Sequence, residues 1–315
     1  MTLFHDHIRA HLGYSPESIC PGRIVRFATS ERKGDCSGWA KLFLDEKGGV
    51  YGDHRSKESG YWFADRQRPF DAVSIARRRE QVALAREQER TERRARWRNA
   101  AHMHAYVWGR STEIRPGDPV DRYLKARGLG MPSYPAALRF HGALEYRDDT
   151  SPERVTYPGM VAQVHSPSGA LVTLHRTYLT DDARKAPVQS PRKLMPVAGR
   201  MEGAHIKLDV PKKIQGAVWL GAAEGIETAL AASSIFEVPT IATISAGGME
   251  TFVVPDGVDD FVVFADNDAS GTGISSAVRL GGRVASQGVR TRISMPPVVG
   301  SDWADVWLET AGACE

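Results

Sequence analysis

The stretch Phe261–Gly273, FVVFADNDASGTG, decides the fold of the C-terminal part of the chain. Apolar residues typical of a buried strand lead into two aspartates, Asp266 and Asp268, and a glycine-rich turn follows. Side chains two residues apart on an extended strand point to the same face. The two carboxylates are therefore predicted to face one spot at the end of a strand.

Strands and helices alternate on both sides of this stretch. Upstream, AVWLGAA and TIATISA have the pattern of strands and are separated by GIETALAASSIF, which has helical spacing. Downstream come a helical segment, TGISSAVRLGGRVASQG, a strand, VRTRISM, and a final helix, DWADVWLETAG. This alternation predicts a parallel sheet covered by helices on both faces. In such sheets ligands bind beyond the carboxyl ends of the strands.

Acidic residues follow two of these strands. Glu224 and Gly225 come after the first strand, and Asp266 and Asp268 come after the third. If the two strands are neighbours, three carboxylates meet at one sheet edge, where they repel one another unless a cation neutralises them. Mg²⁺, or Mn²⁺ in its place, is the hard, oxygen-preferring candidate.

Structural roles compete with this interpretation. An Asp-x-Asp at a strand end is often a turn and helix-cap device, and Glu227 on the next helix is interpreted as a capping or surface residue. Gly225 and Gly271 are candidates for letting the backbone approach a bound ligand. The helix starting near Gly273 is expected to offer free N–H groups to an anion such as phosphate.

The 315-residue chain as a whole has the composition of an ordinary soluble protein, with 42% hydrophobic residues, 25% charged residues and a net charge of +3. It shows neither the pattern of a signal peptide nor an apolar run of about 18 residues that would predict a membrane span. Cys20, Cys36 and Cys314 are too scattered for a disulfide framework. We therefore expect a cytoplasmic protein without membrane contact.

The chain divides into four segments that differ in composition and in the pattern of apolar residues. Residues 1–70 contain short strand-like pieces broken by Gly and predict a small β-rich module. Residues 71–110 predict a long arginine-rich helix or linker with Asp71 as its N-cap. Residues 111–210 are read as a mixed, basic α/β subdomain, and residues 211–315 form the parallel-sheet domain.

The arginine-rich segment carries a local excess of positive charge. Within Arg77–Arg98, nine arginines stand against four glutamates. Such a helix either contacts the phosphates of a nucleic acid or is a solvated helix laced with i,i+4 pairs, which is the more common case. Four aromatic residues of the first segment have two possible roles. They either stack on the bases of a single-stranded nucleic acid whose phosphates the helix contacts, or form the core of the β module. These residues are Trp39, Tyr51, Tyr61 and Trp62.

Residues 212–310 resemble the Toprim domain, which is shared by bacterial DNA primases, type IA and II topoisomerases and some nucleases. The resemblance rests on Glu224-Gly225, on Asp266-Asn267-Asp268 and on the order of strands and helices. The upstream segments ALRFHGALEY, GMVAQV, TLHRTYLT, RKAPV and PRKLM resemble the Toprim primases that phages and plasmids encode. The resemblance therefore implies a Toprim-type sheet preceded by a primase-core subdomain, in a replication protein of a mobile element.

The resemblance also implies an activity, the synthesis of short RNA primers on a single-stranded DNA template from nucleoside triphosphates. Mg²⁺ would be held by the catalytic residues Glu224, Asp266 and Asp268, with Glu224 either a ligand or the general base. Asp302 is either a fourth carboxylate ligand or a helix N-cap. The basic stretch before the Toprim part would line the channel for nucleotides and template, and the alternative for each of its basic residues is a place in a solvated basic loop. These residues are His175, Arg176, Lys185, Arg192 and Lys193.

Two features depart from the primase pattern. Bacterial primases begin with a zinc ribbon, whereas the spacing of Cys20, Cys36 and His54 matches no zinc site, so no zinc is expected. The sequence also lacks a P-loop, so a separate helicase or replication protein would have to supply unwinding. A Toprim nuclease with water as its nucleophile and a single-stranded nucleic-acid-binding accessory protein remain the alternatives.

Overall fold

The structure of the chain, a computed structural model, describes residues 3–31, 35–64, 72–148 and 154–312. Asp71 and Cys314, which the sequence analysis considered, lie outside these ranges. The chain forms two compact units, Met1–Arg96 and Trp97–Glu315. The division into four segments at residues 70, 110 and 210 stays a prediction. None of the described helices combines the length and the apolar character that crossing a membrane requires.

The first unit contains a short helix, four strands and most of a long helix. Their bounds are α1 Phe4–Leu12, β1 Ile24–Phe27, β2 Gly38–Leu42, β3 Gly48–Asp53, β4 Ser59–Phe63 and α2 Ala72–Gly109. The four strands coincide with the strand-like pieces of the sequence, whereas α1 was not predicted. The boundary between the two units falls within α2.

The strands of the first unit form an antiparallel sheet in the order β1-β2-β3-β4. Phe4 of α1 packs with Tyr51 and Trp62 on one face of this sheet. Val50 on the other face packs with Ala85 of α2. The alternation of side chains along each strand thus gives the sheet two apolar faces, and one helix covers each of them.

In the second unit, one short helix is followed by an antiparallel sheet in the order β5-β6-β7-β8. The bounds are α3 Pro119–Lys125, β5 Leu138–Arg147, β6 Arg154–His165, β7 Leu171–Tyr178 and β8 Arg192–Leu194. Asp118 caps α3 by accepting hydrogen bonds from the N–H groups of Val120 and Asp121, and Pro119 occupies the first turn.

The rest of the second unit contains the predicted alternation of strands and helices. The bounds are β9 Lys212–Ile214, β10 Ala217–Ala223, α4 Ile226–Phe236, β11 Thr240–Ala242, α5 Ala246–Thr251, β12 Asp260–Phe264, α6 Thr272–Ala285, β13 Arg290–Ser294 and α7 Trp303–Gly312. The parallel strands are ordered β11-β10-β12-β13, and β9 pairs antiparallel with β10. The fold class predicted from the sequence is confirmed, although β9 and α5 were not anticipated.

Both faces of the parallel sheet are buried. Phe264 packs with Leu230 of α4 and Ala304 of α7 on one face, and Phe261 packs with Leu280 of α6 on the other. The first of these cores continues into α3 and the antiparallel sheet. Because one core joins the two sheets, the antiparallel sheet and α4 are held in a fixed relation to each other.

Candidate active site

The candidate site lies at the carboxyl ends of β10 and β12. These strands are parallel neighbours, with Ala223 opposite Phe264. Glu224 follows β10 directly, and Asp266 follows β12 after one residue. The two strands are thus adjacent, which was the condition for the carboxylates to meet at one sheet edge.

Asp266 is half-buried, and its Oδ1 atom has no hydrogen-bond partner among the described residues. Burial, followed by the charges of Asp302, Glu224 and Asp268, raises the pKa of Asp266 to about 7, and Arg192 opposes this shift only in part. A carboxylate that is desolvated, surrounded by like charges and missing a hydrogen bond is stabilised when a cation binds to it.

Glu224 is in a similar environment. Burial raises its pKa, and the charge of Asp268 adds to the increase. The N–H group of Ala246, which donates a hydrogen bond to the carboxylate, and the charge of Arg192 act in the opposite direction. Glu224 and Asp266 therefore form a pair of carboxylates whose charged forms the fold disfavours.

Asp268 caps the start of α6. Because β12 ends at Phe264, the alternation of side chains along a strand does not extend to Asp266 and Asp268. The Oδ2 atom of Asp268 accepts a hydrogen bond of 2.7 Å from the Gly273 N–H, and its Oδ1 atom accepts one of 3.3 Å from the Thr272 N–H. The hydroxyl of Ser270 donates a further hydrogen bond and contributes most to lowering the pKa of Asp268. The expectation that the N–H groups near Gly273 are free for a phosphate is therefore wrong, since Asp268 caps them.

Asp302 caps the last helix, α7. Its Oδ1 atom accepts hydrogen bonds from the N–H groups of Ala304 at 2.7 Å and Asp305 at 3.0 Å. Its Oδ2 atom accepts a weaker one of 3.4 Å from the hydroxyl of Thr228. Asp302 is thus an N-cap, and it is also the neighbouring charge with the largest effect on Asp266.

The two glycines singled out in the sequence lie at helix starts. Gly225 precedes α4 in an extended conformation. Gly271 precedes α6 with φ of 68°, in the left-handed region that favours glycine. A Cβ atom at Gly273 would lie 2.5 Å from the carbonyl oxygen of Asp266, so only glycine lets the helix start this close to the site.

In the described part of the chain, no three His, Cys, Asp or Glu side chains are placed so that they could hold a metal ion as they stand. The donor chemistry nevertheless fits a hard divalent cation, because Glu224 and Asp266 supply carboxylate oxygens and one of these oxygens lacks a partner. Asp268 and Asp302 could act as further ligands only if carboxylate oxygens that accept hydrogen bonds from helix N–H groups also bound the cation.

Glu227, interpreted from the sequence as a capping or surface residue, is 3% exposed, so the surface alternative is wrong. Its Oε1 atom accepts hydrogen bonds from the Tyr123 hydroxyl and from Arg192, both at 2.7 Å. Although burial acts to raise its pKa, Arg192 and Tyr123 lower it to about 2, so Glu227 is charged. A signal was present in the sequence, because a lone acid in an almost wholly apolar helix has to be paired.

Four of the predicted basic residues lie on β7 and β8 and point to both faces of these strands, and Lys185 lies between the two strands in the chain. Arg192 points to Glu227, whereas its neighbour Lys193 donates a 2.8 Å hydrogen bond to the carbonyl of Arg147 and lies 4.6 Å from the centre of the Tyr146 ring. Arg176 is paired with Lys193 across the two strands. Arg176 and Lys193 therefore share the face that points away from Glu227.

His175 and Lys185 lie on the side of Arg192. His175 is two residues from Thr177, the strand partner of Arg192, and therefore points to the same face as Arg192. Its Nδ1 atom is buried and has no hydrogen-bond partner among the described residues. Burial lowers the pKa of His175 to about 4. Lys185 is exposed, and it is close enough to Arg192, Glu227 and Asp302 for their charges to act on it. The structure thus brings Arg192, His175 and Lys185 to the carboxylate side and leaves Arg176 and Lys193 on the other face.

Comparison with known families agrees with this arrangement. Residues 219–313 match the family model of the Toprim domain, so this part of the chain is a Toprim domain. Residues 98–219 match a domain of unknown function, DUF7146. No curated protein matches the sequence.

Several solved structures that are similar to the chain are DNA primase domains. The RNA polymerase domain of Mycobacterium tuberculosis primase DnaG is 15% identical with a TM-score of 0.40, over 71% of this chain and 81% of that one. The same domain in complex with double-stranded DNA is 14% identical, with a TM-score of 0.40, over 71% and 78%. A DNA primase domain from Pseudomonas aeruginosa is 14% identical, with a TM-score of 0.36, over 52% of this chain. The match covers about half of that structure, 51%.

Proposed function

We propose that the protein is a primase-like nucleotidyltransferase that makes short RNA primers on single-stranded DNA with Mg²⁺ held by Toprim carboxylates. The observation that carries the proposal is the state of Asp266. One of its oxygens is buried without a partner, and its pKa is raised to about 7 next to Glu224, within a Toprim domain. Such a site is complete only when a cation is bound.

Glu224 and Asp266 would hold the cation, and Asp268 and Asp302 would contribute if they shared their capping oxygens. When bound, Mg²⁺ would neutralise the triphosphate and lower the pKa of the attacking 3′-hydroxyl group. The protein supplies the charges that position the nucleotide. Glu224 and Asp266 would act through the cation, and Arg192 and Lys185 would act on the phosphates directly.

Arg192 is the best-positioned phosphate contact. One of its terminal nitrogens is bound to Glu227, which fixes the guanidinium group, while 41% of the side chain is exposed. A guanidinium group has five N–H donors in a rigid fork, so the remaining donors can bind phosphate oxygens. Glu227 and Tyr123 are positioning residues in this proposal, because they act through Arg192.

The proposed nucleic-acid contacts divide between the two faces of the antiparallel sheet. Lys185 and His175 are on the side of the carboxylates, where the nucleotide would bind. Arg176 and Lys193 would contact a different part of the template or primer, from the opposite face. The remaining proposals are a separate helicase or replication partner and a role in a mobile element.

The test is a primer-synthesis assay with Mg²⁺, labelled nucleoside triphosphates and single-stranded DNA. Asp266→Asn keeps the size of the side chain and removes its charge, so we expect the primer yield to fall at least about a hundredfold, beyond the loss typical of outer-shell partners of a metal. Asp256→Asn is the matched control because Asp256 is exposed in the loop before β12, and its yield should equal that of the wild type.

The same assay separates the alternatives. Cleavage of the DNA that requires Mg²⁺ and is lost in Asp266→Asn would identify a nuclease, and binding without either reaction would identify an accessory protein. Cation binding is measured independently of activity by titrating Mn²⁺ and following the free ion by electron paramagnetic resonance. Wild-type protein should bind Mn²⁺, and Asp266→Asn should bind it at least about tenfold more weakly.

A further inference from the structure

A second site is present in the first unit, between the edge strand β4 and the first turns of α2. It is a groove of about 690 Å³, which we name the Tyr61 groove. Its lining residues are Tyr61, Phe63, Ile75, Arg78, Arg79, Val82, Ala83 and Arg86. Among these described lining residues there is no acidic side chain, and three are arginines.

One wall of the Tyr61 groove is aromatic. Tyr61 and Phe63 are two residues apart on β4, so they point to the same face, and their ring centres are 5.9 Å apart. Arg78 lies 4.4 Å from the centre of the Phe63 ring. Tyr61 is 59% exposed, and within the described part of the chain its hydroxyl has no hydrogen-bond partner. Tyr61 therefore presents an accessible aromatic ring at the rim of the groove.

The other wall is basic, and the charges of two of its arginines are not neutralised by an ion pair among the described residues. Arg79 and Arg86 have no carboxylate within ion-pair distance among the residues that the structure describes. Further along the helix, by contrast, Arg90 pairs with Glu87 at 3.7 Å and Arg93 pairs with Glu89 at 3.9 Å. Arg79 and Arg86 thus leave positive charge available in the groove.

We propose that the Tyr61 groove binds single-stranded nucleic acid, with a base stacked on Tyr61 and phosphates bound by Arg79 and Arg86. An exposed aromatic ring beside arginines without acidic partners matches the alternating bases and phosphates of a strand. A duplex hides the faces of its bases within the stack, and an acidic peptide has no base to stack. All lining residues belong to the first unit, so the proposal stands whether or not the carboxylate site is catalytic.

The test measures binding of the full chain to a fluorescent single-stranded oligonucleotide by anisotropy, in EDTA and over a series of salt concentrations. Tyr61→Ala should weaken binding at least about fivefold, whereas Tyr61→Phe keeps the ring and should bind as the wild type does. The double variant Arg79→Gln/Arg86→Gln should lower the slope of log K against log salt concentration by about 1.4, because two fewer phosphates are neutralised. The matched control, Arg90→Gln/Arg94→Gln, removes the same charge outside the groove and should change the slope less.

Two further probes test the kind of ligand. A duplex of the same sequence and a polyglutamate chain should each bind with an affinity that does not depend on Tyr61. Ultraviolet cross-linking of a thymine oligonucleotide followed by peptide mapping should place an adduct on Tyr61 in the wild type. The proposal is overturned if Tyr61→Ala and Tyr61→Phe bind equally well, or if the two double variants have the same salt slope. Circular dichroism of each variant verifies that it is folded.

Discussion

Glu89 in the first unit and Asp266 in the second are both carboxylates withdrawn from water, and their surroundings have opposite charge. Glu89 accepts hydrogen bonds from Arg26 at 3.1 Å and His54 at 3.0 Å, and Arg93 is also close. Burial acts to raise the pKa of Glu89, but these partners outweigh it and lower the pKa to about 2. Around Asp266 the nearest charges are other carboxylates, and its pKa is raised to about 7.

We propose that this difference separates a structural ion network at Glu89 from a binding site at Asp266. The charge of Glu89 is balanced by the fold itself, so nothing further has to bind. The charge of Asp266 is opposed only in part by Arg192, and because strongly shifted pKa values cluster at functional sites, this supports the proposed cation site. The comparison also bears on the arginine-rich segment, because Arg93 and Arg96 lie 3.9 Å and 4.0 Å from Glu89, and Arg93 is the i,i+4 partner of Glu89 that the sequence analysis named as the more common case.

The largest expected effect is the loss of the Glu89 network. Glu89→Gln leaves Arg26 and its neighbours without a counter-charge at a side chain that is 5% exposed, so the first unit should lose about 3–5 kcal/mol of stability. The measurement is hydrogen exchange, followed by mass spectrometry, of peptides that contain β1, β2 and β3. Glu87→Gln is the control, because Glu87 is exposed, and it should change stability by less than about 0.5 kcal/mol.

The pH dependence of the first unit follows from the same residue. The folded-state pKa of Glu89, about 2, is below the ordinary value of 4.5, so the stabilisation is fully present above pH 4.5. It is lost as the pH falls from 4.5 towards 2, and it amounts to something on the order of 3 kcal/mol. In hydrogen exchange at pH 5 and pH 3, the wild type should therefore lose more protection than Glu89→Gln. Parallel losses in the two proteins would show that Glu89 is not the titrating group.

A smaller effect is expected from the cations around the carboxylate site. Lys185 is on the carboxylate side of β8 and Lys193 is on the opposite face, held by the carbonyl of Arg147. Lys185→Ala should raise the KM for nucleotide about tenfold and leave kcat nearly unchanged, as loss of a charged hydrogen bond to phosphate would do. Lys193→Ala should change the KM for nucleotide less than Lys185→Ala does. The opposite order in steady-state kinetics would mean that the nucleotide binds on the face of Lys193.

Much of the Toprim part could be predicted from the sequence, because strand–helix alternation and the residues after each strand are local patterns. The adjacency of β10 and β12 made it possible to expect that Glu224 and Asp266 would approach each other. The capping role of Asp268 was not resolved by the sequence, since it depends on the strand ending at Phe264 and on the hydrogen bonds that α6 offers to its carboxylate.

The charge networks were harder to predict, because they join residues that are distant in sequence. Glu227 meets Tyr123, which is 104 residues away, and Arg192, which is 35 residues away. Glu89 meets Arg26, which is 63 residues away. A count of charges along α2 gives its net excess and says nothing about these partners. Tertiary pairing therefore decides which of the charges counted in the sequence are free to bind a ligand.

The smallest expected effect is a change in the stability of the metal-free protein, and it tests the comparison between Glu89 and Asp266 directly. In EDTA at pH 8, above the pKa of Asp266, the folded state contains a carboxylate that its neighbours repel. Asp266→Asn removes that charge, so the second unit should gain about 1 kcal/mol and its Tm should rise by about 2–4 °C in differential scanning calorimetry. Addition of Mg²⁺ should raise the Tm of the wild type more than that of the variant, because the variant should bind the ion at least about tenfold more weakly. A variant that melts well below the wild type in EDTA would show that Asp266, like Glu89, stabilises the fold, and the distinction between the two sites would fail.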